Sequence, residues 1–182
     1  MIRARIRVLV AAFALATIAA TAGCTPSAPT PSPTPTGFAD EAEAFAAAEE
    51  TYRAYVDALN RVDLSDPATF EDVYRWTTGD AYAGERESLS TMHANGWTVT
   101  GETVVVSVVG RTFAKGTQTG TVTACVNVES VRLTDAAGQS MVAADRPAVQ
   151  TVEVGFQLAP DEGADAVLTE LRGSSEEGAC TA

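Results

Sequence analysis

A change in hydrophobic periodicity at Trp97 constrains the fold of this 182-residue chain more than any other feature. Between residues 39 and 62, large apolar side chains recur every seven residues, which is typical of one face of a long helix. These side chains are Phe38, Phe45, Tyr52 and Leu59. Beyond Trp97, apolar residues alternate with polar ones, as in half-buried strands. The sequence therefore predicts an α+β fold in which N-terminal helices cover one face of a curved antiparallel sheet.

Local signals predict two further helices between the first helix and Trp97. A short helix should begin at Pro67, with Asp66 as its N-cap, because proline at the first helical position loses no hydrogen bond. A third helix should run from about Gly79 to Ala94, with Thr77 as its N-cap. Asn95-Gly96 then supplies a left-handed stop.

Four or five strands are expected in the second half of the chain. The first should carry Val104, Val106 and Val108 on one face, after a bulge or bend at Gly101. In the next, Cys125 falls on the face opposite the neighbouring alanine and valines. The predicted core consists of Phe45, Tyr52, Val56, Leu59, Val106, Val126, Val128, Val154 and Phe156.

The first 36 residues read as an export signal followed by a spacer. Three arginines precede a run of 13 almost wholly apolar residues, Val8–Ala20, and small residues lead to Cys24. This run is shorter than the roughly 20 apolar residues of a membrane span and is typical of a secretory signal peptide. Residues 25–36 alternate Pro with Thr, Ser and Ala, which predicts a disordered, extended linker about 37 Å long. The expected division is signal peptide 1–23, Cys24 and linker 24–38, and domain 39–182.

The residues around Cys24 allow two cleavage sites. Ala22-Gly23-Cys24 resembles the lipobox of bacterial lipoproteins, which implies that Cys24 becomes a diacylglyceryl- and palmitate-bearing N-terminus. The resemblance implies a protein anchored in the lipid bilayer at the extracytoplasmic face of the cell membrane. Ala20-Thr21-Ala22 also fits ordinary signal peptidase, which would release a soluble protein beginning at Gly23. Thr21 stands where the lipobox usually has leucine.

Charge and cysteine content narrow the possible partners and environment. The formal net charge is −12, and removal of residues 1–23 takes away three arginines and no acid, which leaves −15. Such a charge opposes binding to nucleic acid. With Cys24 lipidated, Cys125 and Cys180 are an even pair, and an exported domain permits a disulfide between them. The competing account is that Cys125 is buried as a small hydrophobic residue.

One strand and the order of the elements resemble a known family. The predicted order is three helices, the last ending in Asn-Gly before an aromatic strand, and then a bent meander of strands. This order resembles the nuclear transport factor two-like fold, a cystatin-like α+β cone. More narrowly, Thr119–Val128, with the sequence TGTVTACVNV, resembles a strand of actinobacterial surface lipoproteins that contain such domains. Asp135–Gly138, Asp145–Pro147 and Cys180 match the positions that follow. The final strand lacks the Trp-x-Val of that pattern. The resemblance implies a cavity between the long helix and the sheet.

Several residues are candidates for a site in that cavity. The aromatic residues Tyr52, Tyr55, Tyr74 and Trp76 could line it, although helical spacing favours their packing in the core. His93 is the candidate general base, because the ordinary pKa of histidine lies near neutrality. Its place in the last turn of a helix favours contacts with main-chain carbonyls instead. Asp57 is a second candidate base. No catalytic motif, metal-ligand spacing or cofactor-binding motif is recognisable.

The sequence therefore favours a non-catalytic module of the cell envelope that binds a small ligand or a protein partner. Two alternatives remain open. The first is an isomerase- or cyclase-like enzyme with a base in the pocket, and the second is a structural envelope component with no ligand.

Overall fold

The computed structural model describes residues 37–159, 166–174 and 180. The predicted signal peptide, Cys24 and nearly all of the predicted linker lie outside these residues. Within the described residues, no helix has the length and apolar character needed to span a membrane.

Three helices precede the sheet, in the predicted order. Helix α1 spans Glu41–Leu59, α2 spans Glu71–Tyr74 and α3 spans Gly79–Ala94; a 3₁₀ turn, Pro67–Phe70, leads directly into α2. Helix α1 begins two residues later than predicted, because Asp40 caps it by accepting a hydrogen bond from the Glu43 amide, and it ends at Leu59, before the predicted residue 62. The side chain of Asp66 accepts from the Ala68 amide, which confirms the predicted start of the short helix.

The capping prediction for α3 was right at its end and wrong at its start. Gly96 has a φ of +66°, which confirms the left-handed stop. The N-cap is Thr78, not Thr77. Thr77 forms a parallel bridge with Leu168 of the last strand, and the Thr78 amide donates to the Leu168 carbonyl. This long-range pairing holds Thr77 against β6, so Thr78 is the N-cap, while the helix begins at Gly79 as predicted.

Six strands form two antiparallel sheets. They are β1 (Thr98–Thr100), β2 (Val104–Ala114), β3 (Thr119–Asn127), β4 (Arg132–Thr134), β5 (Val149–Leu158) and β6 (Ala166–Ser174). The larger sheet has the order β2-β3-β5-β6, and β1 pairs with β4 in a small second sheet. Within the described residues these strands pair antiparallel, and the helices precede them, which confirms the predicted α+β class.

Strand β2 corrects one predicted face. Its register with β3 shifts between Val105 and Ser107, so Val106 lies in a bulge with 57% of its surface exposed. Val105 and Val108 pack against the core instead. The prediction that Val104, Val106 and Val108 share an inward face was therefore wrong, because an irregular register breaks strict alternation. A second shift follows between Gly110 and Thr112.

One continuous core joins the helices to the large sheet. Of the predicted core residues, Tyr52, Val56, Val126, Val128, Val154 and Phe156 are buried. Phe45 and Leu59 are partly buried against the same cluster. Phe156 is 1% exposed and makes edge-to-face contacts with Phe38 and Phe45.

Candidate ligand-binding cavity

A cavity of about 870 Å³ lies between the helices and the small sheet. Its helical wall comes from the end of α1 and the following loop, through Leu59, Asn60, Val62 and Leu64, and from α3, through Glu85, Ser88, Leu89 and Met92. The opposite wall includes β1, the turn after it and the β4 region, with Val99, Glu102, Thr103, Ser130, Val131, Leu133, Val142 and Arg146. Nine of these sixteen named residues are aliphatic or methionine and seven are polar or charged, so the walls combine apolar surface with several polar groups.

Hydrogen bonds fix the loop that forms one edge of the cavity. The Asn60 side chain donates to the Thr103 carbonyl and accepts from the Thr103 amide, both at 2.9 Å. The Ser130 hydroxyl likewise bonds the Glu102 carbonyl and amide. Gly101 makes the bend between these anchors with a φ of +82°, and a Cβ there would lie 2.1 Å from the Ser130 carbonyl oxygen. Only glycine fits this bend, which confirms the bend predicted at this residue.

A carboxyl group stands on the helical wall of the cavity. The Tyr55 hydroxyl donates a 2.6 Å hydrogen bond to Oε1 of Glu85, which joins α1 to α3. Burial raises the pKa of Glu85, and the hydrogen bond from Tyr55 partly opposes that rise. The pKa of Tyr55 is raised, first by burial and then by the charge of Glu85. A half-buried acid beside an apolar cavity is a recognised mark of a functional site.

Sequence reasoning missed Glu85, although a signal for it was present. Glu85, Leu89 and Met92 are spaced four and then three residues apart, so they share one face of α3. Leu89 is buried and Met92 is half-buried, which marks that face as inward. A lone carboxylate in line with inward apolar residues needs a buried partner. The partner, Tyr55, is 30 residues away along the chain, and no local pattern identifies it.

The residues predicted to line a pocket fall in separate places. In the described part of the chain, the cavity lining contains none of the five predicted pocket residues, which are Tyr52, Tyr55, Tyr74, Trp76 and His93. Tyr52 and Tyr55 are buried neighbours with ring centroids 5.9 Å apart, and Tyr55 reaches the cavity wall through Glu85. Tyr74 stacks edge-to-face on Tyr82 beneath Arg86, and Trp76 packs half-buried against the core.

The two bases considered from the sequence are both exposed. His93 lies on the surface, where Nδ1 is 2.7 Å from the Leu64 carbonyl oxygen and the ring contacts Phe70 edge-to-face. Asp57 is on the exposed face of α1. Neither residue lines the cavity, so the enzyme alternative loses the bases first considered for it. Glu85 is the titratable group that the structure offers instead.

The predicted disulfide is present on the other face of the sheet. Cys125 of β3 is bonded to Cys180, with a Cα–Cα distance of 5.5 Å, and Cys125 is buried without belonging to the central apolar cluster. The Cys180 sulfur also lies 3.0 Å from the hydroxyl of Thr151, which pairs with Cys125 across β3 and β5. The bond therefore ties the C-terminal region to the sheet, away from the cavity. Cys24 lies outside the described residues.

Comparison with known proteins identifies the fold. The intermembrane-space region of the chloroplast protein ARC6 matches with a TM-score of 0.50 and 15% identity over 71% of this chain and 95% of that one. A candidate aromatic ring hydroxylase from Novosphingobium aromaticivorans gives 0.47 and 16% over 73% and 94%. VirB8 of Agrobacterium tumefaciens gives 0.41 and 10% over 72% and 92%. The match to the ARC6 region shows the fold alone, helices followed by a curved antiparallel sheet as in the nuclear transport factor two-like fold, and likeness at this level carries no function.

No family model and no curated protein sequence matches the chain. The function must therefore be argued from the cavity and from the N-terminal sequence.

Proposed function

We propose that the protein is a lipoprotein anchored at the extracytoplasmic face of the cell membrane, and that its domain binds a small ligand in the cavity. The observation that carries the proposal is the cavity itself. Its volume of about 870 Å³ falls within the range of about 300–1,000 Å³ that is typical of small-molecule sites. Apolar walls with a few placed polar groups are also typical of such sites.

Two features support export and anchoring. Cys24 directly follows Ala22-Gly23 at the end of a signal-like segment, and a linker rich in proline begins at the next residue. The Cys125–Cys180 disulfide fits an oxidising compartment outside the cytoplasm. A lipidated Cys24 would carry more than one acyl chain, and a single chain alone binds a membrane only marginally.

Metabolic labelling tests the anchor. Cells that express the full chain are grown with an alkyne analogue of palmitate, and the purified protein is examined for the label. We expect label in the native chain and in a Cys125→Ser/Cys180→Ser double variant, which retains Cys24. We expect no label in Cys24→Ser. Label on Cys24→Ser, or a mature native protein that begins at Gly23, would contradict the anchor.

A pair of serines on α3 tests the cavity. Both serines are exposed, but Ser88 lines the cavity and Ser90 does not. Ser88→Trp should fill the cavity, and Ser90→Trp serves as the matched control. Native mass spectrometry of protein taken from its own membranes should show a bound small molecule in the native chain and in Ser90→Trp. Loss of that molecule in Ser88→Trp supports the proposal, and its retention there contradicts it.

An acid–base enzyme is the second candidate, because the pKa of Glu85 is raised at the cavity wall. In this account Glu85 transfers the proton and Tyr55 orients the carboxyl group. A binding module predicts that the molecule recovered from the cavity is released chemically unchanged. Turnover of that molecule by the native chain, abolished in Glu85→Gln, would favour the enzyme.

A further inference from the structure

The charged groups on the cavity wall indicate what kind of ligand it accepts. Three lining residues carry a formal charge: Glu85, Glu102 and Arg146. The remaining walls are mostly apolar or hydroxyl-bearing. A bound molecule must therefore bury apolar surface and satisfy whichever of these charges is free to bind it.

Glu85 has an oxygen available for a ligand. Its Oε1 accepts the Tyr55 hydroxyl at 2.6 Å. Its Oε2 makes no hydrogen bond within the described residues, where every fully buried polar side-chain atom has a partner. Because no fully buried polar atom lacks a partner, Oε2 must be accessible, and the half-buried residue that carries it lines the cavity. A positioned carboxylate oxygen in an apolar setting strengthens any charge-assisted hydrogen bond that it accepts.

Arg146 is occupied in holding the loop that contains it. Its Nη2 donates to the Val128 carbonyl at 2.7 Å and to the Val131 carbonyl at 3.0 Å. These bonds fasten the segment after β4 to the end of β3. Glu102 stands on the exposed turn between β1 and β2, and its charge has the same sign as that of Glu85. The guanidinium keeps its positive charge while it makes these bonds, but the two glutamates outnumber it, so the lining has a formal charge of −1 when both carboxyl groups are ionised.

We propose that the cavity takes an apolar molecule bearing a protonated amine, whose ammonium group donates to Oε2 of Glu85 while its apolar body packs on Leu59, Leu89 and Met92. This inference rests on the proposed binding function and specifies its ligand class. An ammonium group also suits a mature protein with a formal charge near −15, because the overall field raises the local concentration of cations.

Three molecules that share one rigid apolar cage test the ligand class. They are 1-aminoadamantane, 1-adamantanol and 1-adamantanecarboxylate, which are cationic, neutral and anionic at pH 7.4. The full anchored chain is placed in nanodiscs of phosphatidylcholine, and binding is measured by calorimetry against empty discs. Glu85→Gln removes the charge and keeps the shape, and Glu87→Gln, exposed on the same helix and absent from the lining, is the matched control.

We expect the amine to bind at least tenfold more tightly than the alcohol, and the carboxylate to bind most weakly. Glu85→Gln should reduce the advantage of the amine to about twofold or less, whereas Glu87→Gln should leave it unchanged. If the alcohol or the carboxylate binds as well as the amine, or if Glu85→Gln keeps the preference, the ligand class is wrong and the cavity remains a binding site. If none of the three binds, the ligand class is also wrong, and the mass spectrometry of Ser88→Trp decides separately whether the cavity is a binding site.

Discussion

The two ends of helix α1 meet the rest of the domain in different ways. At its N-terminal end, Phe45 packs over Gly110 of β2 so closely that a Cβ on that glycine would lie 2.2 Å from the ring. At its C-terminal end, Leu59 and the residues after it face a cavity of about 870 Å³. We call these the filled end and the open end. They belong to one fold and one helix, yet only the second leaves space for another molecule.

The difference arises from the side chains that the chain places at each end. Three of the buried residues in the first half of α1 are alanines. On the facing sheet, Gly110 and Gly120 lie against the phenylalanine rings of Phe45 and Phe156. Small residues facing large rings fill space at close to crystal density. The open end instead contains a carboxyl group with its buried tyrosine partner. The domain gains its stability at the filled end and presents its chemistry at the open end.

Truncation of one apolar side chain at each end should show the largest contrast. Phe156→Ala removes a ring that is 1% exposed at the filled end and should lower the free energy of unfolding by about 3–5 kcal/mol. Met92→Ala removes a half-buried side chain from the cavity wall and should cost about 1 kcal/mol or less, because it enlarges an existing space. Denaturant unfolding measures both. Equal losses would mean that the open end is packed as tightly as the filled one.

Addition of one methyl group tests the close approach at the filled end. Gly110→Ala forces a Cβ into the Phe45 ring and should destabilise the fold by about 1–3 kcal/mol. Gly116→Ala is its matched control, because a Cβ there meets no atom within 4 Å. Thermal unfolding should separate the two variants clearly. A Gly110→Ala variant as stable as Gly116→Ala would show that the helix can shift at no cost.

The pH dependence of stability should reveal the raised pKa of Glu85 at the open end. We expect this effect to be smaller than those of the two packing variants above. Because the folded pKa of Glu85 is raised, the folded state holds its proton more tightly than the unfolded state does. Stability should therefore fall as pH rises from the ordinary carboxyl pKa near 4.3 through the raised value, and then level off. Glu85→Gln should lose this component, while Glu87→Gln should keep it. Tyr55, Tyr52, Glu102 and Arg146 are unchanged in both variants. Identical pH profiles for the native chain and Glu85→Gln would contradict a perturbed Glu85.

Features set by neighbouring residues could be predicted from the sequence. The cap at Asp66, the stop at Asn95-Gly96 and the bend at Gly101 depend on local backbone geometry, and each was found where expected. The period change at Trp97 marked the passage from helices to sheet, and the parity of the cysteines indicated the disulfide. Local chemistry therefore predicted the class of the fold.

Features set by distant residues were missed. The bulge at Val106 depends on the register with β3, and the N-cap at Thr78 depends on the pairing of Thr77 with β6. The aromatic residues chosen as pocket candidates were selected by type, and type does not show which way a side chain faces. Glu85 belongs to the site because two helices bring it to Tyr55. The sequence could thus predict that a cavity exists, but only the structure shows that Glu85 is the carboxyl group on its wall.

Hydrogen exchange with and without 1-aminoadamantane tests the difference between the two ends most directly. On addition of the amine to the full chain, we predict slower exchange in residues 59–64, 85–92 and 99–103, which border the cavity. We predict no change in residues 41–48 and 153–158 at the filled end. Protection confined to the first three segments would confirm that the open end is the binding site. Protection at the filled end, or in none of these segments, would contradict it.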